Sequence, residues 1–155
     1  MIVVKHPKEL MAYTGKRMGT SDWMTIDQGM IDRFAELTGD DNWIHVDKAR
    51  AAAAMPGGKT IAHGFLTLAM TPILGRQIFR LETQGKVFNY GADNLRFPGM
   101  VPCGERIRLT MDLMDGAERP DGGFKFTVKS TVEAEGQPKP VCVFDKLMLI
   151  YPDES

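Results

Sequence analysis

The stretch "IAHGFLTLAMTPILGRQIFR" (61–80) constrains the fold more than any other part of the chain, because it is apolar on nearly every face of a helical wheel. If helical throughout it would extend roughly 30 Å at about 1.5 Å per residue. A helix of that kind either crosses a membrane or is buried on all sides. His63, Pro72, Gly75 and Arg76 interrupt the run and favour burial. Pro72 is expected to kink the helix, since it removes one backbone donor and its ring clashes with the preceding turn. A helix with no polar face needs a curved sheet wrapped around it.

The sheet is legible downstream. "RIRLTMDL" (106–113) alternates Ile107, Leu109, Met111 and Leu113 with Arg108, Thr110 and Asp112, the period-two pattern of a half-buried strand. "FKFTVKSTVEA" (124–134) repeats it, with Phe124, Phe126, Val128, Ser130, Val132 and Ala134 facing inward. The turn signals "GAERPDGG" and "EGQPKP" join these strands and the next into an antiparallel meander. "VCVFDKLMLIY" (141–151) is apolar on both faces apart from Asp145 and Lys146, which predicts a central strand. "VFNYGADNLRF" (87–97) supplies a fourth, with Gly91 marking a bulge or a close backbone approach.

The first half reads as a short strand within 20–26 followed by helices. In "DQGMIDRFAELTGD" Asp27 is a plausible N-cap, Met30, Ile31, Phe34 and Leu37 recur at helical spacing, and Gly39 supplies the left-handed residue that ends the helix. Asp47 then caps an Ala-rich helix halted by "PGG" at 56–58. Helices and strands segregate along the chain, so the class is α+β in a single domain, 1–155.

Charge and cysteine content remove several functions. Nineteen basic and twenty acidic residues leave a net charge of −1, which provides no field to gather nucleic acid or an anionic membrane. Any anionic ligand must be held locally. Cys103 and Cys142 sit in no metal-binding or redox spacing and read as reduced thiols, as in a cytoplasm. The first residues, "MIVVKHPKEL", are too briefly apolar for an export signal or an anchor.

Chemistry concentrates in "GDDNWIHVD" (39–47). Asp40 and His45 could share one water, the carboxylate removing a proton and the imidazole delivering one, with Trp43 and Ile44 beside them to exclude solvent. Gly-Asp-Asp-Asn is equally the composition of a solvated turn. The spacing alone does not choose between these readings. Asp41 reads as a solvated neighbour, Lys59 as a loop lysine, and Arg96 as a strand residue open to ion pairing. No Gly-rich phosphate loop and no Ser/His/Asp elbow occurs.

The longer pattern does choose. "FAELTGDDNWIHVDKARA", then "HGFLTLAM" beginning sixteen residues after Asp47, then "NLRFPGMVPCGERI", closely resembles the MaoC-like (R)-specific enoyl-CoA hydratases, including their NodN-like branch. The shared signature is Asp-x-x-x-x-His with Asn two after the Asp, an Asp soon after the His, and a downstream His-Gly that opens a long helix. The resemblance runs from about residue 20 to 151. It implies the hotdog fold, a long central helix wrapped by a curved antiparallel sheet, and a homodimer.

By the same resemblance Asp40 and His45 are the catalytic pair, orienting a water that adds across the double bond of a trans-2-enoyl thioester to give an (R)-3-hydroxyacyl thioester. Asn42 would position the pair. Gly64, at the start of the helix, would leave room for the acyl group and help hold the developing enolate at the helix N-terminus. His63 would orient the substrate or, as most histidines in apolar settings do, bond to backbone. Where the family often has Ser or Thr six residues after the helix-opening His, this chain has Ala69. The expected substrate is an acyl-CoA, with no metal and with coenzyme A only as part of the substrate. A hotdog thioesterase and a non-catalytic acyl-thioester-binding protein remain the alternatives.

Overall fold

A computed structural model describes residues 1–82 and 85–153. Chain order begins with β1 (Ile2–Val4), α1 (Pro7–Leu10), β2 (Lys16–Thr20) and β3 (Met24–Thr25). Helices α2 (Gln28–Thr38), α3 (Trp43–Val46), α4 (Lys48–Ala54), α5 (Gly64–Ala69) and α6 (Thr71–Gly75) follow. The chain ends on β4 (Phe79–Leu81), β5 (Lys86–Arg96), β6 (Arg106–Glu118), β7 (Phe124–Ala134) and β8 (Cys142–Tyr151). The main antiparallel sheet has the order β2-β6-β7-β8-β5, with β3 also pairing β6. β1 and β4 form a separate parallel pair.

The caps are as the sequence predicts. Asp27 accepts from the Met30 N–H, and Gly39 closes α2 at φ 76° while donating to the Ala35 carbonyl. Asp47 accepts from the Arg50 N–H and opens α4. Each satisfies backbone groups that the helix leaves without an internal partner.

The inward set of β7 matches the alternation residue by residue, Phe124 through Ala134. On β6 the buried positions are Ile107, Leu109, Met111 and Leu113. That strand runs five residues beyond the predicted end, because a bulge between Leu113 and Asp115 resets the alternation and pairing resumes through Glu118. The outer face carries cross-strand pairs such as Arg108 with Glu133. β8 is flanked by β7 and β5, and the ladder of β5 shifts register between Asn89 and Gly91, where the sequence predicts a bulge or a close approach.

The central helix differs from its prediction. It occupies 64–75 instead of 61–80 and breaks at Met70 between α5 and α6. Pro72 accounts for the break, sitting in the first turn of α6, where its missing N–H costs nothing. The apolar residues at each end of the run belong to other elements. Ile61 bridges to Pro102, and Phe79–Leu81 pairs with β1.

Gly75 lies against the sheet, where a Cβ would be 3.5 Å from Met111 Sδ. Leu66 and Leu74 are buried, whereas Phe65 and Ile73 are exposed by 63% and 50%. One side of the helix is therefore uncovered in a single chain. β5 is exposed along its length, with Val87, Phe88 and Tyr90 open, and among the described residues no strand pairs with its outer edge. Among the described residues no helix is long and apolar enough to cross a membrane.

Both cysteines are free thiols. Burial pushes the Cys142 thiol up to about 12, so at pH 8 it stays protonated and unreactive while it remains buried. A disulfide reagent added to native protein is expected to label the half-buried Cys103 first, with Cys142 reacting only after denaturant. Simultaneous labelling of both thiols in the native state would contradict this.

Candidate active site

Three local structures bring the candidate residues together. α2 ends at Gly39, and Thr38 Oγ1 accepts from the Asp40 N–H at 3.3 Å, which fixes the exit of the chain. α3 is one turn capped by Asn42, whose Oδ1 accepts from the Ile44 N–H at 3.3 Å. His63 is the N-cap residue of α5. The chain between α4 and α5 returns to α3 through the Ile61 N–H, which donates to the Ile44 carbonyl. This closure sets His63 beside His45.

The two imidazoles stack with centroids 3.7 Å apart and planes 25° from parallel, and the Phe34 ring lies 5.0 Å from His63. His45 Nδ1 lies 2.7 Å from the Ile61 carbonyl, and His63 Nε2 lies 2.8 Å from the Asp40 carbonyl. A carbonyl only accepts, so these bonds assign the protons to Nδ1 of His45 and Nε2 of His63 in the neutral rings. His45 is left with Nε2 as its working atom.

The Asp40 carboxylate, His45 and His63 each offer one atom within 4.8 Å of the others. A water oxygen about 2.8 Å from both the Asp40 carboxylate and a His45 ring nitrogen fits that separation. Asp40 is exposed, His45 and His63 are buried, and Trp43 turns aside to stack under the Arg50 guanidinium at 4.1 Å. Because Asp40 is exposed, the shielding of its carboxylate expected from Trp43 is not provided within the single chain.

Three such groups could also meet a metal: His63 Nε2 is committed to the Asp40 carbonyl, so its buried Nδ1, without a partner among the described residues, is the atom it would offer.

Gly64 begins α5, whose first-turn N–H groups lack acceptors inside the helix. The space beside its Cα is taken by Phe97: a Cβ there would lie 2.8 Å from the ring, and Phe97 in turn meets Phe65 edge-on. These two aromatics form an apolar rim at the helix N-terminus. Lys59 lies 4.0 Å from Glu105, and Arg96 donates to the neighbouring Leu95 carbonyl, so neither reaches the cluster through a bond.

Gln28 is a member of the site that the sequence does not single out. Its Nε2 donates to the His45 carbonyl at 2.8 Å and its Oε1 accepts from Thr60 Oγ1 at 2.5 Å, clamping α3 to the segment that leads to His63. Nothing in its sequence surroundings separates this glutamine from a solvated first-turn residue bonded to Asp32, since the two partners that make the clamp are non-local.

A kinked helix packed against one antiparallel sheet is the arrangement of a hotdog domain. The MaoC-like domain model matches residues 10–135, and the chain belongs to that family of hydratases and dehydratases, which makes it a hydro-lyase. It is 45% identical over 140 residues to 3-hydroxyacyl-thioester dehydratase Z of Mycobacterium tuberculosis, covering 90% of this chain and 92% of that one. Nodulation protein N of Rhizobium meliloti is 42% identical over 135 residues, covering 85% and 83%. Among solved structures, the unliganded R-hydratase PhaJ1 of Pseudomonas aeruginosa superposes with a TM-score of 0.67 at 21% identity, covering 91% of this chain and 83% of that one. The monoamine oxidase regulatory protein of Archaeoglobus superposes at 0.75 and 19% identity, covering 99% and 100%. At these identities the structural likeness speaks for the hotdog fold alone.

Proposed function

We propose that this protein is an (R)-specific enoyl-CoA hydratase, adding water across the double bond of trans-2-enoyl-CoA to give (R)-3-hydroxyacyl-CoA and catalysing the reverse dehydration. The observation that carries the reading is the convergence of the Asp40 carboxylate and the His45 imidazole within reach of a single water. The Asp40 carboxylate takes a proton from that water as its oxygen bonds to C3. The C2–C3 electron pair moves toward the thioester, and negative charge develops on its oxygen. The first-turn N–H groups of α5, beginning at Gly64, are the donors best placed for that charge. The proton returns to C2 through the Asp40/His45 pair.

Positioning falls to the surrounding groups. Asn42 holds the single turn that carries His45. His63 ties down the Asp40 backbone and backs the His45 ring, so its bond to backbone and its service to the site are one role. No metal or cofactor takes part, and coenzyme A enters only with the substrate. Turnover is therefore expected to be unchanged by exhaustive treatment with a chelator; loss restored by added zinc would overturn that assignment.

The working unit is proposed to be a cytoplasmic homodimer. The open edge of β5, with Val87, Phe88 and Tyr90, and the uncovered helix side at Phe65 and Ile73 leave apolar surface that a second copy would bury. Such a copy would also shelter Asp40.

Crotonyl-CoA separates this reading from its rivals. Loss of the enoyl absorbance without free thiol is the expected result. Thiol release would indicate a thioesterase, in which Asp40 directs water at the carbonyl instead of C3. Binding without either change would indicate an acyl-thioester-binding protein.

A further inference from the structure

The core face of β8 alternates Phe144, Lys146, Met148 and Ile150, so an ammonium stands in a row whose other members are buried hydrophobics. In register Lys146 faces Val128 of β7 and Ala92 of β5, which places it inside the sheet and not at an edge. Loss of hydration on burial lowers the pKa of its ammonium. Among the described residues it makes no ion pair.

Lys146 opens onto two adjoining cavities of about 510 and 380 Å³ that share Thr71, Pro72 and Asn89 with it. Leu109, Met111 and Met148 give the larger one apolar walls, and Ser130 adds a hydroxyl. Arg76 and Arg80 also line it, and among the described residues no Asp or Glu lines either cavity. Arg80 is engaged by Glu82, which leaves Lys146 and Arg76 without an acidic partner among the described residues.

An ammonium in an apolar row loses hydration that only an acceptor can replace. The smaller cavity begins at Leu68 and Ala69, one turn beyond Gly64, and Thr71 lies about 10 Å along the helix from Gly64 at roughly 1.5 Å per residue. A chain leaving the Asp40/His45 site along α5 would thus run toward Lys146. We propose that these cavities hold the distal end of the acyl chain, and that Lys146 Nζ binds a carboxylate at its terminus, selecting ω-carboxylated enoyl thioesters over plain alkyl ones. The proposal rests on the hydratase reading. Coenzyme A phosphates are the other anions in such a substrate, but strongly hydrated groups suit open surface better than walls of Leu109, Met111 and Met148.

The test compares kcat/KM for trans-2-hexenoyl-CoA and its equal-length carboxylated counterpart, 5-carboxy-2-pentenoyl-CoA, in the wild type and in Lys146→Met. Both acyl groups are also presented as N-acetylcysteamine thioesters, which lack the phosphates. Lys146→Met should lower kcat/KM for the carboxylated substrate by about thirtyfold or more in both thioester forms. The hexenoyl substrates should be unaffected, and Lys146→Arg should retain part of the preference.

Equal losses on both CoA thioesters, sparing the N-acetylcysteamine forms, would move the lysine to the phosphates and overturn the proposal. An undiminished carboxylated substrate, or a uniform loss on all four, would overturn it as well. Wild-type turnover of hexenoyl-CoA reports separately on the hydratase reading. Should the wild type turn over neither substrate, calorimetric binding of hexanoyl-CoA and adipyl-CoA decides the pocket: a preference for adipyl-CoA lost in Lys146→Met supports it, and equal affinities overturn it.

Discussion

Asp40→Asn and His45→Gln are each expected to lower kcat for crotonyl-CoA hydration by about a hundredfold or more while the protein stays folded, the loss typical of removing a positioned acid or base. An amide in place of the Asp40 carboxylate keeps its size but cannot take the proton of water. The fold should tolerate the change, because His63 holds Asp40 by its backbone carbonyl and the side chain is exposed. A glutamine amide in place of the His45 ring can still donate to the Ile61 carbonyl, the bond now made by Nδ1, but presents no second basic nitrogen to the water. The double variant should be little worse than the poorer single one, since the two groups act on one water. Unchanged turnover in both single variants, with melting temperatures matching the wild type, would remove Asp40 and His45 from the mechanism.

The largest effect on stability is expected from Phe126→Ala. Phe126 is fully buried on β7, opposite Gly116 of β6, and its ring fills the space a side chain there would need: a Cβ on Gly116 would lie 2.7 Å from ring carbon Cε1. The ring also stacks 6.3 Å from Phe124. Truncation leaves a void whose far wall is a glycine backbone that cannot move in to fill it. The expected cost is about 3–5 kcal/mol, read as a lower urea midpoint at unchanged slope. A loss below about 1 kcal/mol would mean that the sheet collapses around the gap.

The elements that were legible before the structure are those written in local chemistry. Asp27, Gly39 and Asp47 mark helix ends through hydrogen bonds to residues at most four positions away, and β7 announces its buried face because side chains alternate across a strand. The sequence overstates the helix at 64–75 because apolarity reports burial and not conformation. Ile61, Phe79 and Leu81 are as hydrophobic as the helix but pair with Pro102 and β1. The Asp40/His45 pair was readable as a pattern, whereas its support from Gln28, Thr60 and the Ile61 carbonyl was not.

By itself the sequence determined which groups this protein owns: a carboxylate and an imidazole five residues apart, a His-Gly opening a buried helix, and strands with one apolar face. Tertiary structure alone decided that the ring of His63 lies on the ring of His45, that the backbone of Asp40 is pinned by His63, and that Lys146 stands over a cavity. Local signals arise from bonds within a turn or a strand, which neighbouring residues specify. Contacts such as His63 with Asp40, twenty-three residues away, depend on how whole elements pack, and no short stretch of chain encodes that.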